Sequence, residues 1–168
     1  MSTILLADES PHARRMGETI LRQDGYQVVV AGDGDTALGL LAQTDPDLLI
    51  ADAFLPQVDG LTLCREAKSR SAHLRVIVTA GLLKPFDEGA ARAQGADATL
   101  RKPFEASVMA GIVRPLVEEA MKARRAADDA LPVPELEKVR LQVAKAVEAE
   151  LPRIIDEITR RVLKDLGR

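Results

Sequence analysis

Residues 48–61 read LLIADAFLPQVDGL. Four apolar positions follow one another without alternation, and a carboxylate, a group of turn formers and a new apolar start come after them. An unbroken apolar run of this length suits a strand buried on both faces, which is the setting a parallel sheet covered by helices provides. The strand is expected over 47–51 with Asp52 at its tip, then a loop over 53–60 and a helix over 61–69. Pro56, Asp59 and Gly60 are explained by turn and helix-start roles. Three other apolar runs end in the same way. Thr3–Ala7 leads to Asp8 and Glu9, Val76–Val78 leads to Thr79, and 98–100 lead to Lys102 and Pro103.

Between these runs lie helical patterns. Ser10 is placed to cap a helix, with Pro11 at the first helical position, where a missing N–H costs nothing. Ala13, Met16, Gly17, Ile20 and Leu21 give that helix one apolar face, and Gly25 ends it. A strand over 27–31 follows, then a short helix opened by Asp33 and Gly34 and broken at Asp45-Pro46. A weak helix is expected around 87–94 and a fifth from Glu105 onward. Pro115 lies inside that fifth helix, where its ring crowds the carbonyl of Gly111, so a kink or two shorter helices are expected there. Strand and helix alternate five times, which specifies a doubly wound parallel sheet.

In such a sheet the carboxyl ends of the strands share one edge, where ligands bind. Asp8, Glu9, Asp52, Thr79 and Lys102 all sit at such ends. Each has an ordinary explanation alone. The acidic pair can cap a helix through its dipole, Asp52 can form a turn, Thr79 can be a β-branched strand residue and Lys102 a surface charge. Together they place three carboxylates, a hydroxyl and an ammonium in one site. Clustered carboxylates oppose one another's ionisation unless a cation intervenes, so the pattern calls for a divalent metal and an anion. That points to phosphoryl chemistry.

The pieces LLADES (5–10), IADAFLPQVDGL (50–61), VIVTAG (76–81) and LRKPF (100–104), in this order and each after a strand, resemble the receiver domain of two-component response regulators. The resemblance covers residues 1–125. It implies a flavodoxin-like five-stranded sheet of order 2-1-3-4-5, a sensor histidine kinase or phosphotransfer protein as phosphodonor, and a downstream protein target. It further implies Asp52 as phosphoacceptor, Lys102 and Thr79 as the groups that meet the phosphoryl oxygens, and Mg²⁺ held by Asp8, Glu9, Asp52 and the backbone carbonyl of Phe54. Such a protein catalyses only its own phosphotransfer and dephosphorylation. Ala80 leaves room for the Thr79 hydroxyl to move, and Pro103 completes the lysine motif. Thr99 stands where the family usually has an aromatic ring that swings inward on activation. It displaces little volume, so the output switch is expected to be muted or differently wired. Phe54 and Gly81 flank the path of the hydrolytic water and cannot orient one, which predicts slow dephosphorylation. The alternative is a pseudo-receiver that never carries phosphate and acts as an assembly module through its C-terminal helix.

Of the 168 residues 46% are hydrophobic but only 2% aromatic, so the core must be aliphatic. The single cysteine, Cys64, excludes an internal disulfide and reads as a small core residue on a helix. His12 and His73 have no ligand-spaced partners and are expected to be exposed. A net charge of −3 gives no field that recruits nucleic acid. With no signal peptide or membrane span recognised near the start, a cytoplasmic location is expected. Residues 126–134 read as a linker. Beyond them, 135–168 form an amphipathic extension with Leu136, Val139, Val143, Val147, Leu151, Ile155, Ile158, Val162 and Leu166 on one stripe, interrupted by Pro152. The extension is too short and too mixed in charge for a DNA-binding module, and it lacks aromatic anchors for a lipid surface. Its stripe must fold back, pair with a second copy in a homodimer or dock on another protein, and the last two are favoured because the proline-flanked linker holds it away.

Overall fold

The computed structural model describes residues 2–130 and 133–165, the side chains of 130, 133–136 and 164–165 excepted. In chain order the elements are β1 (Thr3–Ala7), α1 (Pro11–Gln23), β2 (Gln27–Ala31), α2 (Gly34–Thr44), β3 (Leu48–Asp52), α3 (Gly60–Arg70), β4 (Arg75–Gly81), α4 (Glu88–Ala93), β5 (Ala98–Lys102), α5 (Ala106–Ala130) and α6 (Val133–Asp165). The five strands form one parallel sheet of order β2-β1-β3-β4-β5, the flavodoxin-like arrangement. Two compact units result, Met1–Arg125 and Ala126–Arg168.

The pleat sorts the aliphatic side chains into two cores. Leu5, Leu49, Val76 and Val78 point to one face and pack with Leu41, Leu63, Cys64 and Ala67 of the helices covering it. Ile4, Leu48, Ile50 and Ile77 point to the other face and pack with Leu21, Met109, Val113 and Val117. Successive strand residues serve opposite faces, which is why the strand sequences show no polar alternation.

Local chemistry sets the helix starts. Ser10 Oγ accepts from Ala13 N, with Pro11 opening α1. Asp33 caps α2 through Thr36 N, and Asp59 caps α3 through Leu61 N and Thr62 N. Each cap satisfies backbone donors that the first turn leaves unpaired. Gly25 takes φ 88° after α1, a left-handed geometry that glycine adopts without steric cost.

The structure narrows or departs from expectation in four places. At Pro115 the split into two helices is not seen, since α5 passes through it, and α6 likewise passes through Pro152. Around Pro115 the side chains of Met109, Val113, Val117 and Ala120 are buried. At about 1.5–3 kcal/mol for each large side chain, their burial outweighs the ~3 kcal/mol that an interior proline costs. The expected linker is largely helix. Residues 126–130 continue α5 and Val133 already belongs to α6, while 131–132, including Pro132, lie outside the described residues. Alanine-rich sequence propagates a helix well. His73 is half-buried, with Ser71 Oγ 2.9 Å from its Nδ1 and Asp45 3.5 Å from its Nε2, whereas His12 is exposed as expected. Finally, Met16 is 48% exposed, so the apolar face of α1 is narrower than its spacing suggests.

Cys64 has no exposed surface, and burial pushes its thiol pKa up to about 11. Its thiolate is therefore scarce near neutral pH. A thiol reagent at pH 8 should label it only after denaturation, and rapid labelling of the native protein would contradict this burial. Among the described residues no helix is long and apolar enough to cross a membrane.

Candidate functional site

Asp8 follows β1, Asp52 ends β3, Thr79 lies in β4 and Lys102 ends β5. Asp52 and Thr79 are register partners across β3 and β4, and Gly81 pairs with Lys102 across β4 and β5. Parallel register thus carries groups far apart in sequence to the same edge. Asp8, Asp52 and Thr79 are buried, at 4%, 6% and 3% exposure. Burial of carboxylates is tolerated only with partners, and both acids have one.

The Lys102 ammonium provides that partner for both acids. It donates to Asp8 Oδ2 at 2.5 Å and to Asp52 Oδ2 in a close contact. The remaining oxygens are held by backbone, since Ser10 N donates to Asp8 Oδ1 at 2.9 Å and Phe54 N to Asp52 Oδ1 at 2.8 Å. Burial works against the charge on Lys102, but hydrogen bonds to Asp52 and Asp8 outweigh it and the pKa is raised. The stabilisation from this lysine is therefore full below the ordinary lysine range and is lost only as pH climbs through the raised value. Thr79 Oγ1 lies 3.5 Å from the Ala51 carbonyl, a long contact that leaves the hydroxyl weakly held. A cavity of about 720 Å³ beside these groups is lined by Asp8, Glu9, Asp52, Phe54, Thr79 and Lys102 among others.

Glu9 does not join the two buried acids. Its side chain is half exposed, and Oε1 pairs with Lys84 Nζ at 3.3 Å. The same ammonium sits 4.8 Å from the centroid of the Phe54 ring. Lys84 is thus a member of the site that sequence reasoning missed, since nothing local marks a lysine in the loop after β4. Arg14 is another. Its Nη1 donates to the backbone carbonyls of Asp8, at 2.5 Å, and Glu9, at 3.1 Å, and so fastens the acidic turn to α1.

Ala80 is fully buried, and the Lys102–Pro103 peptide is cis. The hydroxyl of Thr99 hydrogen-bonds Glu88 of α4 at 3.2 Å. Beside it, Arg101 donates to the Phe86 carbonyl at 2.9 Å and lies 5.0 Å from that ring's centroid. The face around Thr99 is therefore tied to α4 by polar contacts.

Among the described residues no three His, Cys, Asp or Glu side chains are grouped to hold a metal. The reason is visible in the partners, because a lysine ammonium lies between Asp8 and Asp52 while Glu9 turns to Lys84. The donors nonetheless fit magnesium in kind. All are hard oxygens, two of them on buried carboxylates with Glu9 adjacent in the chain. Releasing Glu9 should help it reach that ion. Lys84→Ala is expected to tighten magnesium binding by about two- to fivefold, the scale of one exposed ion pair, measured by titration calorimetry. Unchanged affinity would mean that Glu9 takes no part in metal binding.

Comparison with known proteins gives consistent results. A family model described as "Response regulator receiver domain" matches residues 4–114. Protein PilG of Pseudomonas aeruginosa is 33% identical over 113 residues, covering 66% of this chain and 84% of that protein. The DNA-binding dual master transcriptional regulator RpaA of Synechocystis is 33% identical over 129 residues, 76% of this chain and 54% of that one. This chain spans about half the length of several curated relatives it matches. Among solved structures, a putative response regulator from Chloroflexus aurantiacus superposes with a TM-score of 0.66 at 30% identity, covering 70% of this chain and 98% of that one.

Proposed function

The chain belongs to the response regulator receiver family of two-component signalling, and from that premise we propose that it is a switch phosphorylated on Asp52 by a histidine kinase or phosphotransfer protein. One observation carries this reading. Asp52 is buried at the strand edge with a lysine ammonium on one oxygen, a backbone N–H on the other and a loosely held hydroxyl in the neighbouring register position.

In the proposed reaction a carboxylate oxygen of Asp52 attacks phosphorus. The O–P bond forms as the donor's P–N bond breaks, and the electron pair leaves on the imidazole nitrogen. Phe54 N–H fixes the orientation of the carboxylate. Lys102 then follows the negative charge from the carboxylates onto the phosphoryl oxygens as a mobile point charge. The Thr79 hydroxyl turns from its long contact with Ala51 to the same oxygens. Magnesium held by Asp8, Asp52, Glu9 and the Phe54 carbonyl would neutralise charge between acceptor and phosphoryl group. The output passes to a downstream protein, and the switch turns over no metabolite.

Incubation with magnesium and a small-molecule phosphodonor, followed by intact-mass measurement, tests the reading. A gain of one phosphoryl group mapped to Asp52 supports it, and no gain sinks it. The second reading is a pseudo-receiver acting as an assembly module. It is favoured by the Lys102 ammonium standing between Asp8 and Asp52 and by the pairing of Glu9 with Lys84, and no mass gain would select it. Nucleic acid is no longer set aside as a partner, because RpaA is by name a DNA-binding regulator.

Once formed, the acyl phosphate should be long-lived. Phe54 and Gly81 both line the cavity, but the Phe54 ring cannot hydrogen-bond a water and Gly81 has no side chain to do so, while Lys84 covers the Phe54 ring. A half-life of minutes or longer is expected in the isolated protein. Phe54→Asn should shorten it by about tenfold, equivalent to about 1.4 kcal/mol. Decay of the parent within a few seconds would contradict this account.

A further inference from the structure

We propose that α6 is a self-association element whose apolar stripe is covered by α6 of a second copy of this chain. Within α6, Val139, Val143, Val147, Leu151, Ile155, Ile158 and Val162 are each between 46% and 57% exposed. In the sequence the spacing extends to Leu136 and Leu166, but the side chain of Leu136 and the whole of Leu166 are outside the described residues. The described part spans about 35 Å of helix at 1.5 Å per residue. An aliphatic surface of that length, left in water, favours association.

Three features identify the occupant as a copy of the same helix. The stripe advances mostly in steps of four, above the 3.6 residues of a turn, so it winds slowly around the helix. A flat or globular surface loses contact with a winding stripe, whereas an identical helix winds at the same rate and follows it. The side chains are aliphatic and mostly β-branched, the type that packs between paired helices. Finally, residues 133–165 carry seven acidic and seven basic side chains, interspersed along the helix. The net charge of zero selects no partner of one sign, and each helix supplies countercharges for its copy.

This inference does not depend on Asp52 chemistry. Light scattering on the full chain should give about twice the 18.2 kDa chain mass. The double variant V147D/I158D should halve that mass. Both positions are exposed, so the receiver fold and its phosphodonor mass gain should be unchanged, which separates a failure here from a failure of the switch. A parent that stays monomeric at high concentration overturns the proposal, including the case where the stripe folds back or waits for another protein. A dimer that survives the double substitution overturns it as well, because the interface then lies elsewhere.

Discussion

Asp52→Asn is expected to abolish phosphoryl gain while leaving the folded protein at least as stable as the parent. The chemical half follows from the loss of a charged oxygen nucleophile, since an amide cannot form the acyl phosphate. The stability half follows from the charge arrangement. Two buried carboxylates share one ammonium, so the cluster carries one negative charge in excess. The amide keeps the shape of Asp52 and its acceptor for Phe54 N, removes the repulsion from Asp8, and leaves Asp8 and Lys102 as a balanced pair. Lys102→Met should behave in the opposite way. Removing the cation leaves two buried acids facing each other, and breaking a buried pair of this kind costs about 3–5 kcal/mol. With the Lys102 side chain 22% exposed, the lower end of that range applies. Thermal melting, paired with intact-mass readout, checks both variants. An asparagine variant that melts well below the parent would show that Asp52 is chiefly a structural anion.

The strands and the positions of Asp8, Asp52, Thr79 and Lys102 are legible in the sequence because burial on both sides of a sheet demands uninterrupted aliphatic runs. The first polar residue after such a run then stands at or near the edge, as Asp8, Asp52 and Thr79 do, while Lys102 comes second after Arg101. The direction of the Glu9 carboxylate is not legible. It depends on Lys84, 75 residues away on a loop with no periodic signal, and two half-exposed side chains leave no trace in hydropathy. The length of α5 is obscured for a different reason. Pro115 and the small and acidic residues after 125 signal a break locally, but tertiary burial and alanine propensity decide in favour of helix. His73 is hidden in the same way, because its partner Asp45 belongs to the end of α2. Gly60 is partly legible, since a turn role is evident from the sequence and the steric demand behind it is not.

That demand leads to the second large effect. Gly60→Ala is expected to lower stability by about 2–3 kcal/mol, the upper part of the range for overpacking, and to slow phosphorylation in the protein that remains folded. A Cβ on Gly60 would lie 2.2 Å from the carbonyl oxygen of Asp52, 2.8 Å from its carbonyl carbon and 2.9 Å from Cα of Ala53. All three are backbone atoms at the tip of the central strand, so no side chain can turn aside to make room. Nor is the strand tip free to retreat. Gly60 N donates to the Ala53 carbonyl at 3.1 Å, and Ala53 N donates to the Thr79 carbonyl at 2.8 Å, which fastens α3, β3 and β4 at one point. An added methyl must therefore either part α3 from β3 or displace Asp52 from Lys102 and Thr79. The first route costs packing around the fully buried Leu63 and Cys64, and the second costs the geometry of the acceptor. Gly111→Ala provides the contrast. Its Cβ would meet nothing within 4 Å inside α5, so it should gain about 0.5–1 kcal/mol from helix propensity and leave phosphorylation alone. Melting temperatures of the two variants should move in opposite directions from the parent. If Gly60→Ala melts with the parent and is phosphorylated at the parental rate, the first turn of α3 does not press on the acceptor strand and Asp52 owes its position to other contacts.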